Sequence, residues 1–214
     1  MEYAILAGGP PAHLPNLHDE LFRNVRWIGC DRGTITLLEN SLKPYKAFGD
    51  FDSVNKDERA LLEAQGTELV LYPSEKDETD LEIALDWVLT EKPDRCWILG
   101  ATGGRLDHGL ANIQLLLKGI GIKTEILLID QQNIVTLLPP GVYDIVKAQN
   151  YPYVSFIAFT PKTEGITLEG FKYPLDNHDL RWGSTLCISN ELQAEKGRLA
   201  FKEGLLLCIR SRDL

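Results

Sequence analysis

The sequence predicts an α/β protein: an N-terminal open, mostly parallel sheet with helices on both faces, followed by a small all-β sandwich or barrel. Three observations carry this. Up to about residue 138, short apolar runs alternate with helix-like segments, the pattern of a doubly wound sheet. Beyond Pro139-Pro140-Gly141 only short strand-like runs separated by turn residues remain. Most of the unusual polar clusters follow directly after a predicted strand, at the edge where open α/β sheets bind ligands.

In chain order, residues 3–7, 26–30, 45–49, 68–72, 95–99 and 125–129 read as strands, with 134–138 close behind. Between them lie helix starts. Asn55 stands three residues before Glu58, and Leu61, Leu62 and Ala64 continue the pattern. Thr79 stands three before Glu82, with Leu81, Ala84, Leu85 and Val88 on one face. Asp107 precedes Leu110, Ile113, Gln114 and Leu117, and Gly119 ends that helix. In the second region, residues 143–146, 153–159, 166–171, 184–189, 198–201 and 205–209 read as strands, with turns at Pro161, Gly165, Asn177, Gly183, Gly197 and Gly204. The expected domains are therefore 1–138 and 139–214, with no internal repeat.

Composition bounds the function. In 214 residues, 44% are apolar and 25% charged, which excludes a disordered chain. Lys and Arg number 22 against 31 Asp and Glu, a net charge of −9. That disfavours nucleic acid and membrane surfaces as partners and suits carboxylates that hold divalent cations. No apolar stretch reaches the ~18 residues of a membrane span, and the start lacks the basic segment of a signal peptide. Cys30, Cys96, Cys187 and Cys208 stand singly without a Cys-x-x-Cys pair, so reduced buried thiols and a cytoplasmic location are expected.

The sharpest cluster is Gly49-Asp50-Phe51-Asp52-Ser53. In an extended segment Asp50 and Asp52 face the same side, ~6–7 Å apart, and repel by roughly 2–3 kcal/mol at an effective dielectric of 20. A bridging cation relieves that repulsion; a solvated turn with Asp52 or Ser53 capping the next helix is the plainer alternative. In Lys76-Asp77-Glu78-Thr79-Asp80, capping accounts for Thr79 and Glu82 and leaves Lys76 and Asp77 unused. Asp80 is then either a first-turn acid favoured by the helix dipole or a metal ligand. Gly100-Ala101-Thr102-Gly103-Gly104-Arg105-Leu106-Asp107-His108 opens a helix with backbone N–H groups suited to phosphate, and Arg105 adds a fork of donors. It is neither a Walker A loop nor a dinucleotide fingerprint. Asp107 alone reads as an N-cap and His108 alone as an exposed histidine. Together the clusters suggest a magnesium–polyphosphate site.

These segments, with Asp31-Arg32-Gly33 and Asn112, resemble the thiamin pyrophosphokinase family, above all its bacterial branch, in order and spacing over about residues 3–138. Gly170-Phe171-Lys172-Tyr173 and residues 184–190 resemble its thiamin-contacting segments more loosely, with Tyr173 where some members carry Trp. The resemblance implies transfer of a pyrophosphoryl group from ATP to the hydroxyl of thiamin, giving thiamin diphosphate and AMP. It implies Asp50, Asp52 and Asp80 as magnesium ligands, and one of these or Asp77 as acceptor of the hydroxyl proton. Lys76 and Arg105 would hold phosphates, with Asp31, Arg32, Gly103, Gly104, Asp107, His108 and Asn112 around the nucleotide. Ser189 and Asn190 would bond the aminopyrimidine and Tyr173 would lie on a thiamin ring, in a homodimer with shared active sites. Two other classes use similar residues: a magnesium-dependent nucleotide phosphohydrolase, and a non-catalytic nucleotide or thiamin sensor. The first needs no Tyr173- and Ser189-bearing β-domain, and the second could dispense with some of the acids kept in every motif.

Overall fold

Runs of β-branched and aromatic residues bounded by glycine and aspartate become strands here because each can bury both faces under helices. A computed structural model describes residues 1–50, 66–72 and 77–213. The chain divides into two units, Met1–Gln131 and Gln132–Leu214. In the first, β1 (Glu2–Leu6), β2 (Val25–Cys30), β3 (Lys46–Gly49), β4 (Glu68–Leu71), β5 (Arg95–Leu99) and β6 (Glu125–Ile129) are ordered β4-β3-β2-β1-β5-β6. Every one of these pairings is parallel. Among the described residues the α-helices are α1 (Arg32–Glu39), α2 (Asp80–Thr90) and α3 (Leu106–Gln114), the last running on into a 3-10 turn that ends at Gly119.

Helices cover both faces. Ile35 of α1 packs on Ala47 of β3, whereas Trp87 of α2 packs on Tyr3 and Phe48 with ring centroids 5.9 and 5.8 Å apart. Ala47 and Phe48 are neighbours in one strand and point to opposite faces. Helix α1 lies so close to β2 that a Cβ on Gly29 would fall 2.4 Å from the Thr34 hydroxyl. Helix α2 begins as its sequence predicts: the Thr79 hydroxyl accepts from the Glu82 N–H at 3.2 Å. The predicted helix around residues 55–64 lies outside the described residues.

The second unit holds β7 (Asn133–Leu138), β8 (Gly141–Val146), β9 (Tyr153–Ala158), β10 (Lys162–Glu169), β11 (Leu175–Arg181), β12 (Asn190–Glu191), β13 (Lys196–Phe201) and β14 (Leu206–Ser211). Strands run β12-β9-β14-β7 in one antiparallel layer and β11-β10-β13-β8 in the other. Val154, Phe156, Leu206 and Cys208 from the first layer share one core with Ile145, Ile166, Leu168, Leu199 and Phe201 from the second. That is a sandwich.

Three expectations change. The unit boundary falls at 131/132 rather than 138/139, because β7 pairs with β14 of the second unit. Residues 184–189 form turns rather than a strand, with Ser189 at φ 54° and only Asn190–Glu191 extended. Conversely β11 is a strand that its sequence hides: it is an edge with only Leu180 buried, so no apolar alternation marks it. All four cysteines are free and buried. Burial pushes Cys96 up to about 12 and Cys187 and Cys208 up to about 11, so these three are thiols at neutral pH. Among the described residues no helix is long and apolar enough to cross a membrane.

Candidate active site

The chain passes from β1 to β2 on one side and later returns to β5 on the other, so the sheet order reverses at β1/β5. Such a switch point leaves a crevice beyond the strand ends. The two strand exits are tied together there: Ala7 N–H donates to Leu99 O and Gly9 N–H to Gly100 O, both at 2.8 Å. A cleft of about 660 Å³ opens above them, within the range of small-molecule sites.

One side of the cleft is acidic. Asp31 and Asp80 line it, with Arg32, Thr36 and Glu39 of α1. Asp31 has φ 45° and ψ −119°, a positive-φ conformation unusual outside glycine, and its N–H donates to Phe48 O at 3.0 Å. A Cβ on Gly49 would lie 1.9 Å from Asp31 Oδ1. The Asp31 carboxylate therefore reaches across to the end of β3, beside the residue that precedes Asp50. Cys30 Sγ lies 3.7 Å from the Asp80 carbonyl, which ties the start of α2 to the end of β2. Asp50 and Asp77 are described but do not line the cleft. Asp52 and Lys76 lie outside the described residues.

The other side is the glycine-rich loop after β5. Gly104, Arg105, His108 and Asn112 line the cleft. Two anchors shape the loop. Asn112 is buried and donates from Nδ2 to Ala101 O at 2.8 Å. The Thr102 hydroxyl donates to Asp130 Oδ2 at 2.7 Å. Gly103 has φ 78°, and a Cβ there would meet the His13 ring at 2.4 Å, so the loop after β1 packs directly on it.

Asp107 does not act as the N-cap that its position suggests. Helix α3 begins at Leu106 with Arg105 at the cap, and Asp107 sits in the first turn. Its carboxylate accepts from Arg105 Nε at 3.1 Å and Nη2 at 2.5 Å, and from the His108 N–H at 3.0 Å. The Arg105 bond first, and then the His108 N–H, hold Asp107 down at about 2. A depressed carboxylate contributes stability above its ordinary range and loses it as pH falls through the folded value. We expect the Asp107 carboxyl carbon to titrate by NMR near 2 and to return toward ordinary carboxylate values in Arg105→Ala. An ordinary midpoint in the unmodified chain would show that the pair does not persist in solution.

The donor set fits a hard divalent cation and a polyphosphate. Of the acids expected to hold Mg²⁺, Asp80 lines the cleft and Asp50 follows β3 without lining it; Mg²⁺ takes one or two carboxylates plus phosphate oxygens. Among the described residues no three His, Cys, Asp or Glu side chains already converge as a metal site. Asp52 is not among them.

Three expected site residues lie in the second unit. Tyr173 is 56% exposed. Ser189, exposed and at φ 54°, is held by its N–H on Ser155 Oγ at 2.9 Å. Asn190 is buried, and its amide bonds the backbone of Tyr173 and Glu191. Sequence reasoning missed Cys30, Thr36, Glu39 and the Pro10-Pro11 wall of the cleft, and the anchor Asp130. Asp130 follows β6 directly, so the rule that found the other clusters was available for it. Thr36 and Glu39 carry no such signal, because only the turn of α1 brings them to the cleft.

Comparison with known proteins bears on this arrangement. A family model described as thiamin pyrophosphokinase, catalytic domain, matches residues 18–128, and one described as thiamin pyrophosphokinase, vitamin B1 binding domain, matches residues 142–206. A thiamine pyrophosphokinase of Bacillus subtilis is 50% identical over 209 residues, covering 98% of each chain. The crystal structure of a thiamine pyrophosphokinase from that organism superposes with a TM-score of 0.92 at 49% identity and full coverage of both chains. A thiamin pyrophosphokinase family protein from Enterococcus faecalis gives 0.89 at 34% identity, again over the whole of both. With both family models matched in order and this identity along nearly its whole length, the chain belongs to the thiamin pyrophosphokinase family.

Proposed function

We propose that this chain transfers the pyrophosphoryl group of ATP to the hydroxyl of thiamin, releasing AMP. The carrying observation is the switch-point cleft, which joins a carboxylate edge at Asp31 and Asp80 to a glycine-rich loop bearing Arg105. Such transfers depend mainly on positioning and charge stabilisation. Asp50, Asp52 and Asp80 hold Mg²⁺, which neutralises polyphosphate charge when bound. Lys76 and Arg105 hold phosphate oxygens, with Gly103 and Gly104 in the loop beside them. Asp107 keeps the Arg105 fork aligned until phosphate replaces it. Asp31 and Arg32 contact the nucleotide from the α1 side, His108 and Asn112 from the α3 side. The thiamin proton passes to a carboxylate of the group Asp50, Asp52, Asp77 and Asp80. Tyr173 presents a flat face to the cationic substrate, worth ~0.5–2 kcal/mol, and Ser189 meets its aminopyrimidine. Four reduced thiols support a cytoplasmic setting.

Incubation with thiamin, ATP and Mg²⁺ tests the reaction: thiamin diphosphate and AMP are expected in equal amounts. ADP with thiamin monophosphate would refute it, and steady phosphate release without thiamin would favour a hydrolase. We also infer a homodimer with shared sites. Mixing Asp80→Asn with Tyr173→Ala at limiting thiamin should then restore about a quarter of normal activity. Half the dimers are mixed, and one of the two sites in each is intact. No recovery, with subunit exchange confirmed, would place both residues in one subunit's site.

A further inference from the structure

Tyr173 lies between the β10 and β11 strands, in a segment with little regular structure of its own. What fixes it is the short strand β12 and the two residues beyond. Lys172 N–H donates to Glu191 O at 2.8 Å and Gln193 N–H to Gly170 O at 3.0 Å. Lys172 Nζ pairs with Glu191 Oε1 at 2.6 Å and stands 5.6 Å from the centroid of the Tyr173 ring.

Asn190 completes this clamp from beneath. Its side-chain oxygen accepts from Tyr173 N–H at 3.0 Å and from Glu191 N–H at 2.9 Å, while Nδ2 donates to Tyr173 O at 2.8 Å. The amide orientation is fixed by its partners, since the reverse would set N–H groups against two N–H donors. Both acceptor positions and one of two donor positions are used, and only 2% of the residue is exposed. Little of Asn190 remains with which to touch a ligand. The adjacent Ser189 is exposed, in its strained left-handed conformation.

We propose that Asn190 is a positioning residue for thiamin: it grips the Tyr173 backbone through both its N–H and its C=O and so aims the exposed ring. This rests on the reading that Tyr173 stacks on the substrate. The Lys172 ammonium occupies one side of that ring, so the cationic substrate takes the other. Ordering the ring before binding lowers the entropy that the substrate would otherwise have to offset.

The test is a double-mutant cycle in steady-state kinetics on the full chain, using thiamin and an analogue whose pyrimidine amino group is replaced by hydroxyl. Tyr173→Ala should raise the thiamin KM about tenfold, with a smaller change in kcat and in the KM for ATP. Asn190→Ala should do the same, and the double variant should be no worse than the larger single effect rather than about a hundredfold. Asn190→Asp keeps both accepted bonds but sets a second oxygen against Tyr173 O, so it too should raise the thiamin KM. The preference for thiamin over the analogue should survive in Asn190→Ala and Asn190→Asp. Additive effects, or loss of that preference, would make Asn190 a direct contact and overturn the proposal. A silent Tyr173→Ala would remove the stacking reading, and the proposal with it, whatever Asn190→Ala does. If Asn190→Ala fails to fold, Asn190→Asp and its analogue preference decide alone.

Discussion

Asp80→Asn will lose about a hundredfold or more in kcat while keeping its fold. Asparagine preserves shape and one oxygen but removes the charge that holds a hard divalent cation. A bound ion contributes several kcal/mol of transition-state charge stabilisation, and each ~1.4 kcal/mol is a factor of ten. The structural loss is small, because the helix cap is Thr79 and not Asp80. Removing a first-turn acid from α2 costs about 0.3–1 kcal/mol. The thermal midpoint should therefore move by only a few degrees while turnover collapses, and the residual activity should need more Mg²⁺. Near-normal turnover at limiting Mg²⁺ would remove Asp80 from the metal site.

The placement of these acids explains why so much of the site was legible. A parallel sheet sends each strand's successor residues to one edge, so a rule about polar residues after strands found Asp31, Asp50 and the loop after β5 without knowing their partners. Local chemistry was equally readable at Thr79, whose hydroxyl accepts from an N–H only three residues further on. What stayed hidden depends on distant chain. Asn112 is named with the nucleotide set by the resemblance, but nothing local shows that its amide anchors the loop through Ala101 O. No local pattern around Asn190 shows that its amide holds both the N–H and the C=O of Tyr173, 17 residues away. Strand β11 has almost no apolar pattern because one edge of a sandwich faces solvent. The turn at residues 184–189 is apolar enough to resemble a strand, yet Ser189 breaks any extended run. Asp107 taken alone reads as an N-cap, yet Arg105 two residues back takes its carboxylate and itself stands at the cap.

Gly9→Ala will disable the protein by a different route, through the meeting of β1 and β5. A Cβ on Gly9 would lie 2.2 Å from Gly100 O and 2.7 Å from its carbonyl carbon. Those atoms are backbone, so no rotamer change can make room. The same carbonyl accepts the Gly9 N–H at 2.8 Å. Nor can Gly100 retreat freely, for it has φ 64° and lies so close to β1 that a Cβ there would fall 2.4 Å from Ala7 O. Forcing these strand exits apart costs about 1–3 kcal/mol by analogy with overpacked cores. It also shifts the loop that carries Arg105 relative to the Asp31 and Asp80 edge. A displacement near 1 Å between binding groups is enough for about a hundredfold loss, so kcat/KM for ATP should fall by that order even where the variant remains folded. Gly109→Ala is the internal comparison. It sits in the middle of α3, where an added Cβ meets nothing within 4 Å. Alanine there relieves glycine's backbone entropy and should stabilise the chain by about 0.5–1 kcal/mol. Denaturant melts and ATP kinetics of the two variants separate steric strain at the switch point from a general intolerance of the glycine-rich segments. Near-normal ATP kinetics in Gly9→Ala would mean that the strand exits yield without moving the phosphate loop, and the cleft would then not depend on that contact.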